Sequence, residues 1–263
     1  MIKQITHNNL EYLTADSIAV PHAFTTRLGG VSSGIFRSLN LGLHRGDDPE
    51  NVAKNREILA QAIGYDPKKL VMTHQTHSDI VRRVTSRDAR GIDHRDYPEA
   101  DALITNEPGV ALWVFTADCT PILLHDPVTG AVGAVHAGWR GTAAKIAGKT
   151  ARAMVDAFGC KPENIRAAIG PNIGMCCFET DSDVPAAMLA AFGDAASPFI
   201  RQSKDKYYVN LKELNALALR QAGITQIEIS QACTACQPDR YWSHRVTRGE
   251  RGSQGAIIVC KEV

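Results

Sequence analysis

The stretch FTADCTPILLHDPVTGAVGAVHAGWRGT, residues 115–142, constrains the fold of this chain more than any other. Two apolar runs, 120–125 and 131–135, flank DPVTG at 126–130, a tight-turn sequence. The pattern predicts a β-hairpin. Cys119 lies before its first strand and His136 after its second, so both fall at the open end as neighbours in space. A thiol beside an imidazole is either a nucleophile with its base or a pair of ligands for a soft metal. THQTHS, at 73–78, adds His77 as a second imidazole. A Cys/His/His set suits zinc with a fourth position open to water, and such water ionises near neutral pH.

The rest of the chain supplies both helices and strands. A strand over 18–26 leads into a glycine-rich loop at 27–34. Residues 49–63 predict a helix, with Asp47 or Asp48 as cap, Pro49 in the first turn, and a ragged apolar face of Val52, Ile58, Leu59 and Ile63. Short strands are expected near 70–73, 80–84, 102–105 and 110–115. The clearest helix spans 141–158, where Ile146, Ala147, Ala151, Met154, Val155 and Phe158 recur at helical steps and Gly159 ends the run. Further strands are expected at 165–169, 227–229 and 256–259, and helices at 184–192 and 211–222. Strands come in groups with helices between the groups. That favours one α+β domain over 1–263, with mixed sheets, over a strictly alternating parallel fold. No strand runs into a GxGxxG turn, so a dinucleotide-binding fold has no support.

Composition narrows the function. At 263 residues the chain can bury a sizeable core without disulfides. A net charge of +1 gives no bulk attraction to nucleic acid or anionic membrane, so a charged substrate needs a local pocket. No run reaches the length of a membrane span, and MIKQITHNNLEYL does not read as a signal peptide; a cytoplasmic protein is expected. The seven cysteines are an odd count in a long chain, which fits reduced thiols. Cys176-Cys177 and Cys233-x-x-Cys236 raise the idea of a four-thiolate zinc site. Adjacent cysteines are awkward chelators and the two pairs lie far apart in sequence, so reduced structural thiols are the expectation. Asp118 is a candidate to orient an imidazole, or simply caps a strand end. Trp139 reads as core packing. Arg140, ahead of the 141–158 helix, is a candidate anion ligand or a surface ion-pair partner. Arg27 and the glycine loop read as a turn, and His22, His44, His74, His94, His125 and His244 show no useful pairing.

At these motifs the sequence becomes recognisable. FTTRLGGVSSGIFRSLNLG, NVAKNREIL, THQTHSDIV, ADALIT, FTADCTPILLHD, AVHAGWRGT, AAIGPNIGMCCFE and YWSHR follow one another from Phe24 to Arg245. Together they resemble the YfiH family, first labelled multicopper polyphenol oxidases or laccase-domain proteins and later read as purine nucleoside phosphorylases. The resemblance implies a single α/β/β/α domain with mixed sheets. It implies zinc, with copper in older labels, held by His77, Cys119 and His136, which are then also the catalytic residues. The implied activity is phosphorolysis of adenosine, inosine, guanosine and S-methyl-5′-thioadenosine, with adenosine deamination in the same site. The implied partners are purine nucleosides and phosphate, with no nucleic acid or membrane, and the assembly a monomer or homodimer. Arg56, inside NVAKNREIL, is the candidate for holding phosphate, with Arg140 as a second substrate-binding residue. Two departures stand out: Asn172 where many members carry Cys, and His244 where an aromatic is common.

Three other readings use the same residues. Cys119 and His136 also suit a metal-free cysteine hydrolase or amidase. A copper phenol oxidase fits poorly, because the chain has no His-x-His. A binding module without turnover is the remaining class.

Overall fold

The hairpin forms where the alternation puts it. In the computed structural model, which describes residues 1–43, 45–91 and 97–261, Thr120–His125 pairs antiparallel with Val132–Ala137. The Asp126 side chain accepts the Val128 N–H at 2.8 Å, and Gly130 closes the turn at φ 71°, a left-handed conformation that glycine adopts without a Cβ clash. Pro121 faces His136 in register. His136 therefore sits inside the second strand rather than beyond it, still at the open end. His44 and His94 lie outside the described residues.

In chain order the strands are β1 (Ile2–His7), β2 (Leu10–Ala15), β3 (His22–Thr25), β4 (Leu70–Met72), β5 (Val81–Arg83), β6 (Ala102–Thr105), β7 (Ala111–Thr116), β8 (Thr120–His125), β9 (Val132–Ala137), β10 (Arg166–Ile169), β11 (Glu179–Thr180), β12 (Ile200–Ser203), β13 (Lys206–Val209), β14 (Gln226–Ile229) and β15 (Gln254–Val259). The helices are α1 (Pro49–Ile63), α2 (Trp139–Ala143), α3 (Ile146–Phe158), α4 (Asp183–Phe192), α5 (Leu211–Gln221) and α6 (His244–Thr247). One sheet has the order β1-β2-β3-β15-β7-β4, the second β14-β10-β8-β9-β6-β5, and a small third β11-β13-β12. Both large sheets are mixed, because β4–β7, β5–β6 and β10–β14 pair in parallel.

Side-chain alternation explains the layers. Leu103, Leu123, Val132 and Ala134 enter the core shared with the first sheet. Their neighbours Ala102, Ile104, Ile122, Leu124, Val135 and Ala137 enter the core beneath α3 and α5. On the far side, Arg56 of α1 lies over the rings of Trp113 and Phe115 on β7, 5.4 and 5.5 Å from their centroids. Leu112 and Val114 occupy the alternate face of that strand. The order is helix, sheet, sheet, helix, as the family resemblance implies. A third cluster, including Val184, Met188, Phe192 and Leu214, packs α4 and α5 near the small sheet. No helix among the described residues is long and apolar enough to cross a membrane.

Three features differ from the sequence reading. The expected 141–158 helix is two helices, broken at Lys145, which adopts φ 58°. Residues 2–15 form a hairpin whose first strand is mostly exposed, so apolar alternation shows only in the second. The small third sheet carries mixed polar and aromatic residues, KYYV among them, with no clean period to read.

Gly255 gives a test of how tightly the first sheet is packed. A Cβ there would lie 2.0 Å from Trp113 Nε1. Gly255→Ala should destabilise the protein by about 1–3 kcal/mol through overpacking, read as a lower urea midpoint at unchanged slope.

Candidate metal centre

Each ligand of the predicted trio arrives on a different piece of backbone. Cys119 stands at the entry to β8, His136 lies in β9, and His77 lies in the connection between β4 and β5. Their ligating atoms lie within 4.8 Å of one another. Cys119 Sγ is 3.9 Å from His77 Nε2. The two imidazoles meet edge to face, with ring centroids 5.1 Å apart. His136 is buried, Cys119 half-buried and His77 exposed.

Asp101 holds this geometry, and sequence reasoning missed it. Its side chain is fully buried just before β6. Oδ1 accepts from His136 Nδ1 at 2.7 Å and from the His77 N–H at 3.2 Å. Oδ2 accepts from the N–H groups of Thr76 (3.1 Å) and Ser78 (2.8 Å), and from the Ser78 hydroxyl (2.7 Å). The Asp101 carbonyl accepts the His136 N–H at 2.7 Å. One residue therefore fixes both histidines, and it secures His77 in the left-handed region at φ 61°. Burial pushes the Asp101 carboxyl up, but His136 and Ser78 outweigh it and hold it at about 2. As the carboxylate is ionised, His136 Nδ1 carries the proton and Nε2 faces the trio.

The thiol and imidazole polarise each other. Burial pushes Cys119 up, yet His136 and His77 bring it down to about 6. Burial pushes His136 down, yet Cys119 and Asp101 raise it to about 9. The sulfur is therefore disposed to be a thiolate near neutral pH, the form that binds a metal or attacks a carbon.

The donor set fits zinc. Zn–N bonds of about 2.0–2.1 Å and a Zn–S bond of about 2.3 Å require donors roughly 3.3–3.6 Å apart, so the observed separations, all within 4.8 Å, close with small side-chain shifts. A carboxylate on the far nitrogen of a metal-binding imidazole is the usual supporting arrangement. Gly138 leaves room for it: a Cβ there would lie 2.7 Å from His77 Cδ2 and 3.4 Å from Cys119 Sγ.

Asp118 does not orient an imidazole. It accepts from Thr234 Oγ1 (2.5 Å), Ser243 Oγ (3.1 Å) and the Arg245 N–H (2.7 Å), which anchors two loops behind Cys119.

A cavity of about 640 Å³ opens onto the trio. Met72, Tyr97 and Phe115 give it an apolar and aromatic wall, and Arg45, Arg56 and Arg251 give it positive charge. Arg56 is buried, with Nε and Nη2 donating to the Leu41 carbonyl at 3.1 and 2.8 Å. Arg251 is also buried, and its Nε has no partner among the described residues. Burial pushes its guanidinium down to about 10, and repulsion from Arg45 adds to that. The sequence flagged Arg56 but neither Arg45 nor Arg251, which lie in polar loops without periodicity. Asp101 had one visible signal, a carboxylate directly before the apolar strand of ADALIT. Arg140, expected as an anion ligand, is exposed, stacks 4.2 Å over Trp139, and does not line the cavity. Trp139 itself packs against the cluster of α4 and α5, as core packing predicts.

Comparison with known proteins agrees with these motifs. Residues 21–261 match the family described as multi-copper polyphenol oxidoreductase laccase. The chain is 38% identical to the purine nucleoside phosphorylase YlmD of Bacillus subtilis, over 98% of this chain and 92% of that one. It is 39% identical to a purine nucleoside phosphorylase of Deinococcus radiodurans, over 97% and 94%. The crystal structure of the Bacillus licheniformis hypothetical protein YfiH superposes with a TM-score of 0.93 at 34% identity, covering 99% of both chains. YlmD from Geobacillus stearothermophilus superposes with a TM-score of 0.92 at 36% identity, again covering 99% of both.

Two substitutions test the centre without removing a ligand. Asp101→Asn keeps the shape but loses the charge that orients His136, and zinc affinity should fall about 10–100-fold. Gly138→Ala should weaken zinc binding as well, because His77 must move. Competition with a chromophoric chelator measures both, and unchanged affinity in Asp101→Asn would show that the carboxylate does not support the centre.

Proposed function

The chain belongs to the laccase-domain family that its residues 21–261 match, and on that premise we propose that it is a zinc-dependent purine nucleoside phosphorylase that also deaminates adenosine. The observation that carries this reading is the polarity of one cavity. Its metal-ligating trio, its aromatic wall and its three arginines line the same space. Relatives named purine nucleoside phosphorylases support it. The proposed substrates are adenosine, inosine, guanosine and S-methyl-5′-thioadenosine.

His77, Cys119 and His136 would hold the ion. Zinc there supplies Lewis acidity, which lowers the cost of developing negative charge and of ionising water. The protein's own groups do the rest. Arg45 and Arg251 repel each other across the cavity wall, and an anion between them relieves that repulsion; guanidinium also suits bidentate phosphate contact. Arg56 adds charge from the wall. A purine ring stacks against Phe115, whose own ring is backed by Trp113 at 5.1 Å. Phosphate then attacks the anomeric carbon as its bond to the purine nitrogen breaks; the purine leaves and takes up a proton, and the sugar product is ribose 1-phosphate, or its 5-methylthio counterpart from S-methyl-5′-thioadenosine. In deamination a water attacks C6 of adenine instead and ammonia leaves.

A second reading has its own observation. Asp101, His136 and Cys119 also form the series of a cysteine hydrolase. Against it stands His77, a further ligand 3.9 Å from the sulfur that such a mechanism does not use. Chelation separates the two: the thiol hydrolase keeps its activity, and the zinc enzyme loses both of its reactions. Phenol oxidation is not part of this proposal. Neither metal-capable cluster among the described residues holds more than two histidines, too few for a multicopper array.

With adenosine or inosine, ribose 1-phosphate should form only when phosphate is present, while deamination of adenosine continues without it. Release of free ribose at the same rate in phosphate-free buffer would overturn the phosphorylase reading. Arg45→Ala, at an exposed position, should raise KM for phosphate about tenfold, or ~1.4 kcal/mol, with zinc content unchanged. Arg56→Ala should raise it too, and an unchanged KM in both variants would remove the arginines from phosphate binding.

A further inference from the structure

We propose that Cys176, Cys177, Cys233 and Cys236 form a second metal site, a structural four-thiolate zinc site separate from the His77, Cys119 and His136 centre. The fold brings together two cysteine pairs that the sequence keeps far apart. All four sulfurs lie within 4.8 Å of one another. Cys236 Sγ is 3.4 Å from Cys176 Sγ and 3.3 Å from Cys177 Sγ. Four sulfurs about 2.3 Å from a tetrahedral zinc stand roughly 3.8 Å apart, so the two separations from Cys236 fall within about 0.5 Å of the required edge. A disulfide needs one preferred partner at about 2.05 Å. Cys236 instead stands almost equally far from two sulfurs, as it would around a common centre.

The surroundings answer the objection that adjacent cysteines chelate poorly. Residues 175–177 form a turn, closed by the Cys177 N–H donating to the Gly174 carbonyl at 3.0 Å, and both sulfurs reach Cys236 from it. Gly174 also donates its N–H to Cys233 Sγ at 3.1 Å, a contact that favours a thiolate. A side chain at 174 would crowd the cluster, since its Cβ would lie 3.2 Å from Cys176 Sγ and 3.4 Å from Cys233 Sγ. Cys176 and Cys236 are exposed and Cys177 half-buried, so these thiols are not core-filling hydrophobes. Four thiolates around Zn2+ leave a net double negative charge, and two cations stand ready to balance it. Lys212 is buried, donates to the carbonyls of Ser230 (2.7 Å) and Ala232 (2.6 Å), and interacts electrostatically with Cys233 and Cys176. The Arg245 guanidinium donates to the carbonyl of Cys177 at 3.1 Å.

The role is mechanical. The two cysteine turns flank Asp118: Thr234 donates to its carboxylate, and the Ile173 N–H donates to its carbonyl at 2.9 Å. Asp118 precedes Cys119 and holds φ 86°. A metal joining the turns would brace the backbone from which Cys119 projects.

Metal analysis of the whole chain, purified under reducing conditions with zinc, tests the site. About two zinc ions per chain are expected, falling by one in Cys236→Ser and, independently, by one in Cys119→Ala. Cobalt substitution should give an intense sulfur-to-metal absorption band that survives Cys119→Ala and largely disappears in Cys236→Ser. A Cys236→Ser protein that binds as much zinc and cobalt as wild type overturns the site, whatever the total; a single ion lost in Cys236→Ser but kept in Cys119→Ala leaves the site standing and counts against the trio instead. Should the variant fold poorly, wild type still decides: Cys176 and Cys236 must resist maleimide when zinc is bound and react once a chelator is added. Immediate alkylation of the zinc-loaded protein, or a disulfide between these cysteines in the reduced preparation, overturns it equally.

Discussion

The contact between Asp101 and His136 is the one on which the candidate centre depends. Taking a carboxylate out of water costs several kcal/mol unless its oxygens are fully engaged. Asp101 engages them with the His136 ring, three consecutive backbone N–H groups and the Ser78 hydroxyl. Hydrogen bonds to a charged group contribute about 1.5–3 kcal/mol each, enough together to offset the burial. The same bonds set the direction of one imidazole and the backbone of the other. Position and electronic state of the trio are therefore decided by a residue that is not among the three ligands.

Much of this was readable before the fold was known. The turn at 126–130 and the apolar runs beside it required a hairpin, and the hairpin required Cys119 and His136 to be neighbours. Helix α1 matched its expected bounds because cap, proline and apolar face agree locally. The family motifs supplied the layers. What stayed hidden depends on long-range contact. Arg45 and Arg251 meet in one cavity only because loops distant in sequence converge on the first sheet. The four cysteines looked unpromising for the same reason, since neither pair carries a sign of the other. The break at Lys145 has no sign in the sequence, because alanine and lysine both favour a helix and no glycine or proline stands beside it.

On the proposed function, the electrostatic layout would let a chain of net charge +1 hold an anionic co-substrate. Its positive charge is concentrated rather than abundant. Arg251 is buried near Arg45, and burial, with repulsion from Arg45 added, weakens the hold of its guanidinium on its proton. Such a pocket discriminates by charge without making the whole surface sticky to nucleic acid. Opposite charge gathers at the trio, where Cys119 and Asp101 are both disposed to be anionic around His136, so the two ends of one cavity differ in character.

Those two ends belong to different sheets. Cys119 and His136 rise from β8 and β9, and Asp101 ties His77 to the same sheet. Arg56 projects from the helix lying on β7, and Arg251 stands just ahead of β15, both on the other sheet. The spacing between the trio and the arginines thus depends on a thickness, that of the Leu, Val and Ala layer packed between the sheets. Interiors packed to crystal-like density hold such a thickness to a fraction of an ångström. On the proposed function, residues such as Leu123 and Val114, buried in that layer and absent from the cavity lining, would influence which nucleoside fits without touching it.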